Sequence, residues 1–183
     1  MDDARSIWTI GHSNRTGEAL LAMLRAHEVA TVTDVRIYPR SRYNPQFNIE
    51  NLGGMLRQNR LGYIHMRELG GNRQARPDSR NVALPAGTFR GYADYMETAA
   101  FQRALDRLQE AAATTRLALL CAEADPAHCH RSMIADALAA AGFQVWHICS
   151  ETESALHQLR SECRLENGRP RYDGLQPSLP GLH

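Results

Sequence analysis

Within eleven residues, from Cys121 to Arg131, the chain carries two thiols (Cys121, Cys129), two imidazoles (His128, His130), two carboxylates (Glu123, Asp125) and a guanidinium (Arg131). Thiolates attack or bind metals, imidazoles and carboxylates move protons, and an arginine fork holds phosphate or carboxylate. Asp125-Pro126 reads as an N-cap followed by proline at the first helical position. Cys129, His130 and Arg131 then fall in the first helical turn, where the positive end of the helix lowers a thiol pKa. Cys129 is the candidate nucleophile and Glu123 the candidate general acid or base. The alternative is structural: Cys129 as a small buried apolar group, with Arg131 bracing Glu123.

Other polar groups fall at strand ends. His12 and Ser13 follow an apolar run that ends at Ile10, and Asp34 and Arg36 close a β-branched run from Thr31. Parallel strands put such ends on one edge of a sheet, where open α/β sheets bind ligands. Convergence of His12, Ser13, Asp34, Arg36, Cys121 and Glu123 is therefore expected. A metal reading would use His12, Cys121, Cys129 and His130 or His128. Seven residues separate the two cysteines, against two to four in compact zinc sites, so no metal is expected. A Cys-x5-Arg phosphatase loop, a Gly-x-Gly-x-x-Gly and a Walker sequence are all missing, and no cofactor is expected.

The elements that must position these groups alternate. Strands are expected at Ser6–Ile10, Thr31–Val35, Gly62–Met66, Leu117–Cys121 and Phe143–Cys149. Helices are expected after the Thr16 cap, over Asn48–Leu61, over Tyr92–Ala112 with a break near Thr98, and over Pro126–Ala141. Arg40–Phe47 and Gly70–Gly91 read as loops. This pattern predicts an α/β fold, a three-layer sandwich with a mainly parallel sheet of about five strands. Residues 1–150 form one domain and 151–183 a C-terminal extension, partly irregular.

The 183 residues are 43% hydrophobic and 22% charged, with a net charge of +1, as in ordinary globular chains. No apolar run approaches a membrane span, and the acidic start lacks the regions of a signal peptide, so a cytoplasmic location is the expectation. All 21 basic residues are arginine. From Arg36 to Arg90, ten arginines face only Glu50, Glu68 and Asp78, a local balance of +7. Such a stretch attracts phosphate or nucleic acid, or forms a solvated surface balanced by acids elsewhere.

Further motifs extend the pattern: Thr9-Ile10-Gly11-His12-Ser13, Asp34-Val35-Arg36 with Pro39, Ser41-Arg42 and Pro45-x-Phe47, and Tyr63-x-His65 with Leu69-Gly70-Gly71. Then come Phe89-Arg90-Gly91-Tyr92, Leu120-Cys121-Ala122-Glu123, Cys129-His130-Arg131 and His147-Ile148. In this order, over about residues 6–150, the chain resembles the domain-of-unknown-function 488 family (DUF488). The resemblance implies a cytosolic bacterial or archaeal protein, in a family where some members carry a DNA-repair label. It adds Ser41, Arg42, Tyr63, His65, Arg90 and Tyr92 to the site residues. By spacing alone, Tyr92 and His65 read as core.

Three functions compete. The first is a hydrolase or group transferase acting on a phosphate-bearing substrate, a nucleotide or nucleic-acid component. Cys129, Glu123, His12 and Asp34 would do the chemistry. Ser13, Arg36, Arg42, Tyr63, Arg90, Tyr92, His130 and Arg131 would bind. The second is a non-catalytic nucleic-acid binding module. The third is a thiol or metal sensor built on Cys121 and Cys129. Oligomeric state is left open.

Overall fold

The computed structural model describes residues 5–175. Six strands form one sheet in the order β3-β2-β4-β1-β5-β6. They are β1 (Ser6–Gly11), β2 (Thr31–Asp34), β3 (Gly62–His65), β4 (Leu117–Cys121), β5 (Gln144–Ile148) and β6 (Ser154–Leu156). The first five run parallel, and β6 pairs antiparallel with β5 at one edge. Five helices cover the sheet: α1 (Gly17–Ala26), α2 (Ile49–Gln58), α3 (Thr88–Met96), α4 (Ala99–Ala112) and α5 (Arg131–Ala140). The expected three-layer α/β fold is the observed one.

Local chemistry sets the boundaries. Thr16 caps α1, its hydroxyl accepting from the Ala19 N–H at 3.1 Å. Thr98 does the same for α4 through Phe101, which is why the expected long helix splits there. Gly142 ends the α5 turn with φ +88, a conformation that favours glycine.

Strand alternation divides the core. In β1, Trp8 and Ile10 pack with Leu20, Leu24, Leu52 and Leu56 of α1 and α2, while Ile7 packs on the other face. In β4, Ala118 and Leu120 join the α1–α2 side. Leu117, Leu119 and Cys121 join the side covered by α3, α4 and α5. A side chain's face follows its parity along the strand. Cys121 is thereby committed to the α5 face.

The C-terminal extension carries regular structure as well. Arg164–Glu166 (β7) and Arg169–Arg171 (β8) form a two-stranded antiparallel ribbon. Tyr172 beyond it is buried, and its hydroxyl donates to Asp136 of α5 at 2.7 Å. The Gly- and Pro-rich composition supplies the turn at Asn167-Gly168, both with positive φ. The last eight residues, 176–183, lie outside the described residues. No helix among the described residues is long and apolar enough to cross a membrane.

Candidate functional site

The carboxyl ends of β1, β2 and β4 do meet on one edge, but their side chains divide between the two faces of the sheet. On the α1–α2 side stands a closed network. Arg36 forks onto Asp34, with Nε to Oδ1 at 2.9 Å and Nη2 to Oδ2 at 2.6 Å. Its Nη2 also donates to the Phe47 carbonyl at 2.8 Å, and its Nη1 meets His12 Nε2 at 3.0 Å. Tyr63 donates its hydroxyl to Asp34 Oδ2 at 2.9 Å. Asp34 is fully buried and Arg36 nearly so.

His12 stacks on Phe47, with ring centroids 4.4 Å apart. Burial holds its pKa down to about 4, so the ring is neutral at pH 7. Nδ1–H then donates to the Ser13 carbonyl at 2.8 Å, and Nε2 accepts from Arg36. Both ring nitrogens are committed. Burial first, then the charge of Asp34 and the hydrogen bond to it, push the Tyr63 hydroxyl well above its ordinary pKa, against the opposing charge of Arg36.

On the α5 side, Cys121, Cys129 and His130 converge. Their sulfurs and Nδ1 all lie within 4.8 Å of one another. Each sulfur is 3.8 Å from His130 Nδ1. The chain achieves this by a detour. Asp125 caps only a short 3₁₀ turn, Pro126–His128, through the Ala127 N–H at 2.8 Å. Cys129 is extended, and α5 starts at Arg131. The expected helix from Pro126 is therefore interrupted, because the Cys129 side chain turns inward toward Cys121. The Cys129 carbonyl, in turn, accepts from the Ser132 N–H and hydroxyl.

Cys129 is held as a thiolate, its pKa pulled down to about 4. The largest cause is the neighbouring Cys121 thiol, which outweighs burial; the positive charge of Arg131 adds to it. Cys121 is pushed the other way, well above the usual thiol range, by that same bond and by burial. The Arg131 N–H also points at Cys129 Sγ, at 3.5 Å.

Arg131 is buried, and its guanidinium donates to the Glu123 and Ala124 carbonyls. It pins the loop after β4 through backbone rather than through the Glu123 carboxylate. Gly11 makes that loop possible. A Cβ at this position would fall 1.8 Å from the Glu123 carbonyl oxygen.

His130 is oriented from several sides. Its Nε2 faces the Val35 carbonyl at 3.1 Å; a carbonyl only accepts, so Nε2 carries the proton and Nδ1 presents a lone pair in the neutral ring. Tyr92 packs edge-on at 5.1 Å. Gly71 lies so close that a Cβ would stand 2.7 Å from Nδ1. The segment Asp34-Val35-Arg36 thus serves both faces: the Asp34 and Arg36 side chains build one network, and Val35 orients His130 in the other. A cleft of about 190 Å³ opens over the cluster, walled by Glu123, His128, Asn72 and Phe89.

The remaining expected residues distribute as follows. Arg90 donates through Nε to the Leu84 carbonyl at 2.9 Å, and Tyr92 through its hydroxyl to the Leu69 carbonyl at 2.7 Å. His65 donates to the Arg36 carbonyl at 2.8 Å. Ser13 sits at a turn with φ 50, its N–H bonded to the Ala122 carbonyl. Arg42 is exposed on the loop after β2. Arg36, Arg90 and Arg131 are thus committed to internal acceptors.

A buried relay escaped the sequence reading. Thr9 Oγ1 meets His147 Nδ1 at 2.7 Å, His147 Nε2 meets His157 Nδ1 at 3.0 Å, and His157 Nε2 meets Asp136 Oδ1 at 2.9 Å. Asp136 only accepts, so His157 Nε2 donates to it. Only the position of His147 within a strand hinted at it.

A mainly parallel α/β sheet with a dithiol–imidazole cluster at its carboxyl edge defines the class of protein. The chain belongs to the family described as Domain of unknown function DUF488, which matches residues 16–138. The match spans β2, β3, β4 and the cluster, and starts after the His12-Ser13 turn. No curated protein and no solved structure matches the chain.

Proposed function

We propose that the chain is an enzyme, a hydrolase or group transferase, with its reaction centre at Cys121, Cys129 and His130. Glu123, on the wall of the cleft, is its proton-transfer group. The observation that carries this reading is the convergence of two buried thiols and an imidazole at the floor of a cleft, beside the buried Arg131. Buried charge is costly unless compensated. Arg131 directs its hydrogen bonds to carbonyls, so the Cys129 thiolate is the anion that balances it. His12 and Asp34 support the loop from the opposite face instead of touching the substrate.

A phosphate-bearing substrate, a nucleotide or nucleic-acid component, keeps Arg42 as its anion-holding group. A screen of nucleotides and phosphate esters tests the assignment. Turnover should fall about 100-fold or more in both Cys129→Ala and Glu123→Gln; Glu123→Gln should melt like the wild type, and Cys129→Ala should lose stability but keep its fold. A substrate turned over equally well by both variants moves the reaction centre elsewhere.

One observation favours a second reading, nucleic-acid binding. Tyr38 and Tyr43 are 69% and 95% exposed on the loop that carries Arg40 and Arg42. Aromatic faces beside arginines suit single strands. A labelled single-stranded oligonucleotide should bind at low salt, lose affinity steeply as salt rises, and bind about tenfold more weakly to Tyr43→Ala. No binding at low salt removes this reading.

A further inference from the structure

The geometry of the cluster goes beyond a lone reactive thiolate. A tetrahedral zinc ion, with Zn–S about 2.3 Å and Zn–N about 2.0–2.1 Å, sets its S···N edges at about 3.6 Å and its S···S edge at about 3.8 Å. Here both S···N distances are 3.8 Å, and all three donors fall within 4.8 Å of one another. We propose that Cys121, Cys129 and His130 bind one zinc-class divalent cation through Sγ, Sγ and Nδ1, with the fourth coordination position facing the cleft. This rests on the reading of the cluster as the reaction centre and names the group that reacts there.

Three features support it. Two thiolates and an imidazole suit zinc-class ions, whereas magnesium and calcium want oxygen. His130 already has the outer partner that metal-bound histidines use: Nε2–H donates to the Val35 carbonyl, which leaves Nδ1 free to ligate. Tyr92 and Gly71 hold the ring in that orientation.

Three protein ligands and an open position are the arrangement of catalytic zinc sites, where the fourth ligand is a water with a pKa near 7. His128 lines the cleft, but its Nδ1 is paired with Asp125 at 3.1 Å. Glu123 lines the same cleft and is the carboxylate available to take a proton from that water.

Spacing along the sequence argues against compact zinc sites, but the fold removes that objection. The 3₁₀ turn and the extended Cys129 return the chain to the end of β4. Parity along β4 aims Cys121 at the returning segment.

The test uses the full chain, reduced and treated with chelator, titrated with cobalt(II) and then zinc. The expected result is one cobalt ion per chain with thiolate-to-cobalt charge transfer and tetrahedral d–d bands. Binding should release protons as the thiols ligate the ion. Cys121→Ser and His130→Ala should weaken it by about 100-fold or more. An octahedral cobalt spectrum, or equal binding by Cys121→Ser, overturns the proposal.

Alkylation of the wild type covers the case in which those variants do not fold. Stoichiometric zinc should shield Cys121 and Cys129 from iodoacetamide while the exposed Cys149 reacts unchanged. Alkylation of Cys129 that zinc does not slow overturns the metal site and leaves the thiolate enzyme standing. Zinc binding with no turnover of any screened substrate does the reverse.

Discussion

Replacing Asp34 with alanine should cost the fold about 3–5 kcal/mol, the range for removing one partner of a buried ion pair. Asp34 is fully buried, and both its oxygens are used: Oδ1 accepts from the Arg36 N–H and Nε, Oδ2 from Arg36 Nη2 and the Tyr63 hydroxyl. Its removal leaves the Arg36 guanidinium buried with only a carbonyl and a neutral imidazole as partners. The loss should also reach the other face of the sheet, because the neighbouring Val35 carbonyl orients His130. Urea unfolding of Asp34→Ala measures the first effect. A loss under about 1 kcal/mol would mean that Arg36 finds water, and that the network is surface-like.

Replacing Cys121 with alanine should raise the pKa of Cys129 by about two units or more, toward the ordinary thiol value near 8.5. The bond from the Cys121 thiol is the largest cause of the depression, and burial opposes it. Without that thiol, the charge of Arg131 must offset burial alone. The reading is the pH dependence of Cys129 alkylation, followed by mass spectrometry. In the wild type the rate should stay flat down to near pH 4, since the thiolate persists there. In Cys121→Ala it should fall as pH drops through neutrality. The midpoint matters more than the rate at one pH, because a thiolate of higher pKa is also a better nucleophile. An unmoved midpoint would assign the stabilisation to Arg131.

Much of the fold was legible because its signals are local. Thr16 read as a cap, Thr98 as a break in the helix, and the β-branched and apolar runs as strands. The sixth strand was not: Ser154–Leu156 is three exposed residues whose strand character comes only from pairing with β5. The Cys121–Arg131 segment was visible as a site, since reactive residue types cluster there. Its geometry was not visible. An all-apolar β4 hides which face Cys121 takes, and nothing local shows that the helix restarts after Cys129.

The arginines mark the other limit. Composition shows that Arg36, Arg90 and Arg131 carry charge, but only long-range contacts show where it goes. Arg36 turns to its near neighbour Asp34 and to Phe47, and Arg131 turns back on the Glu123 and Ala124 carbonyls. The His147–His157–Asp136 relay joins partners 10 and 21 residues apart, with no motif to announce them.

The central claim is that Cys129 stands ionised in a built cluster at the floor of the cleft. Titration of the ultraviolet thiolate absorbance, wild type against Cys129→Ser, tests it most directly. The account predicts a one-thiolate step with a midpoint of about 4 that is missing from the variant. A wild type whose absorbance rises only near the ordinary thiol value of about 8.5 would contradict it.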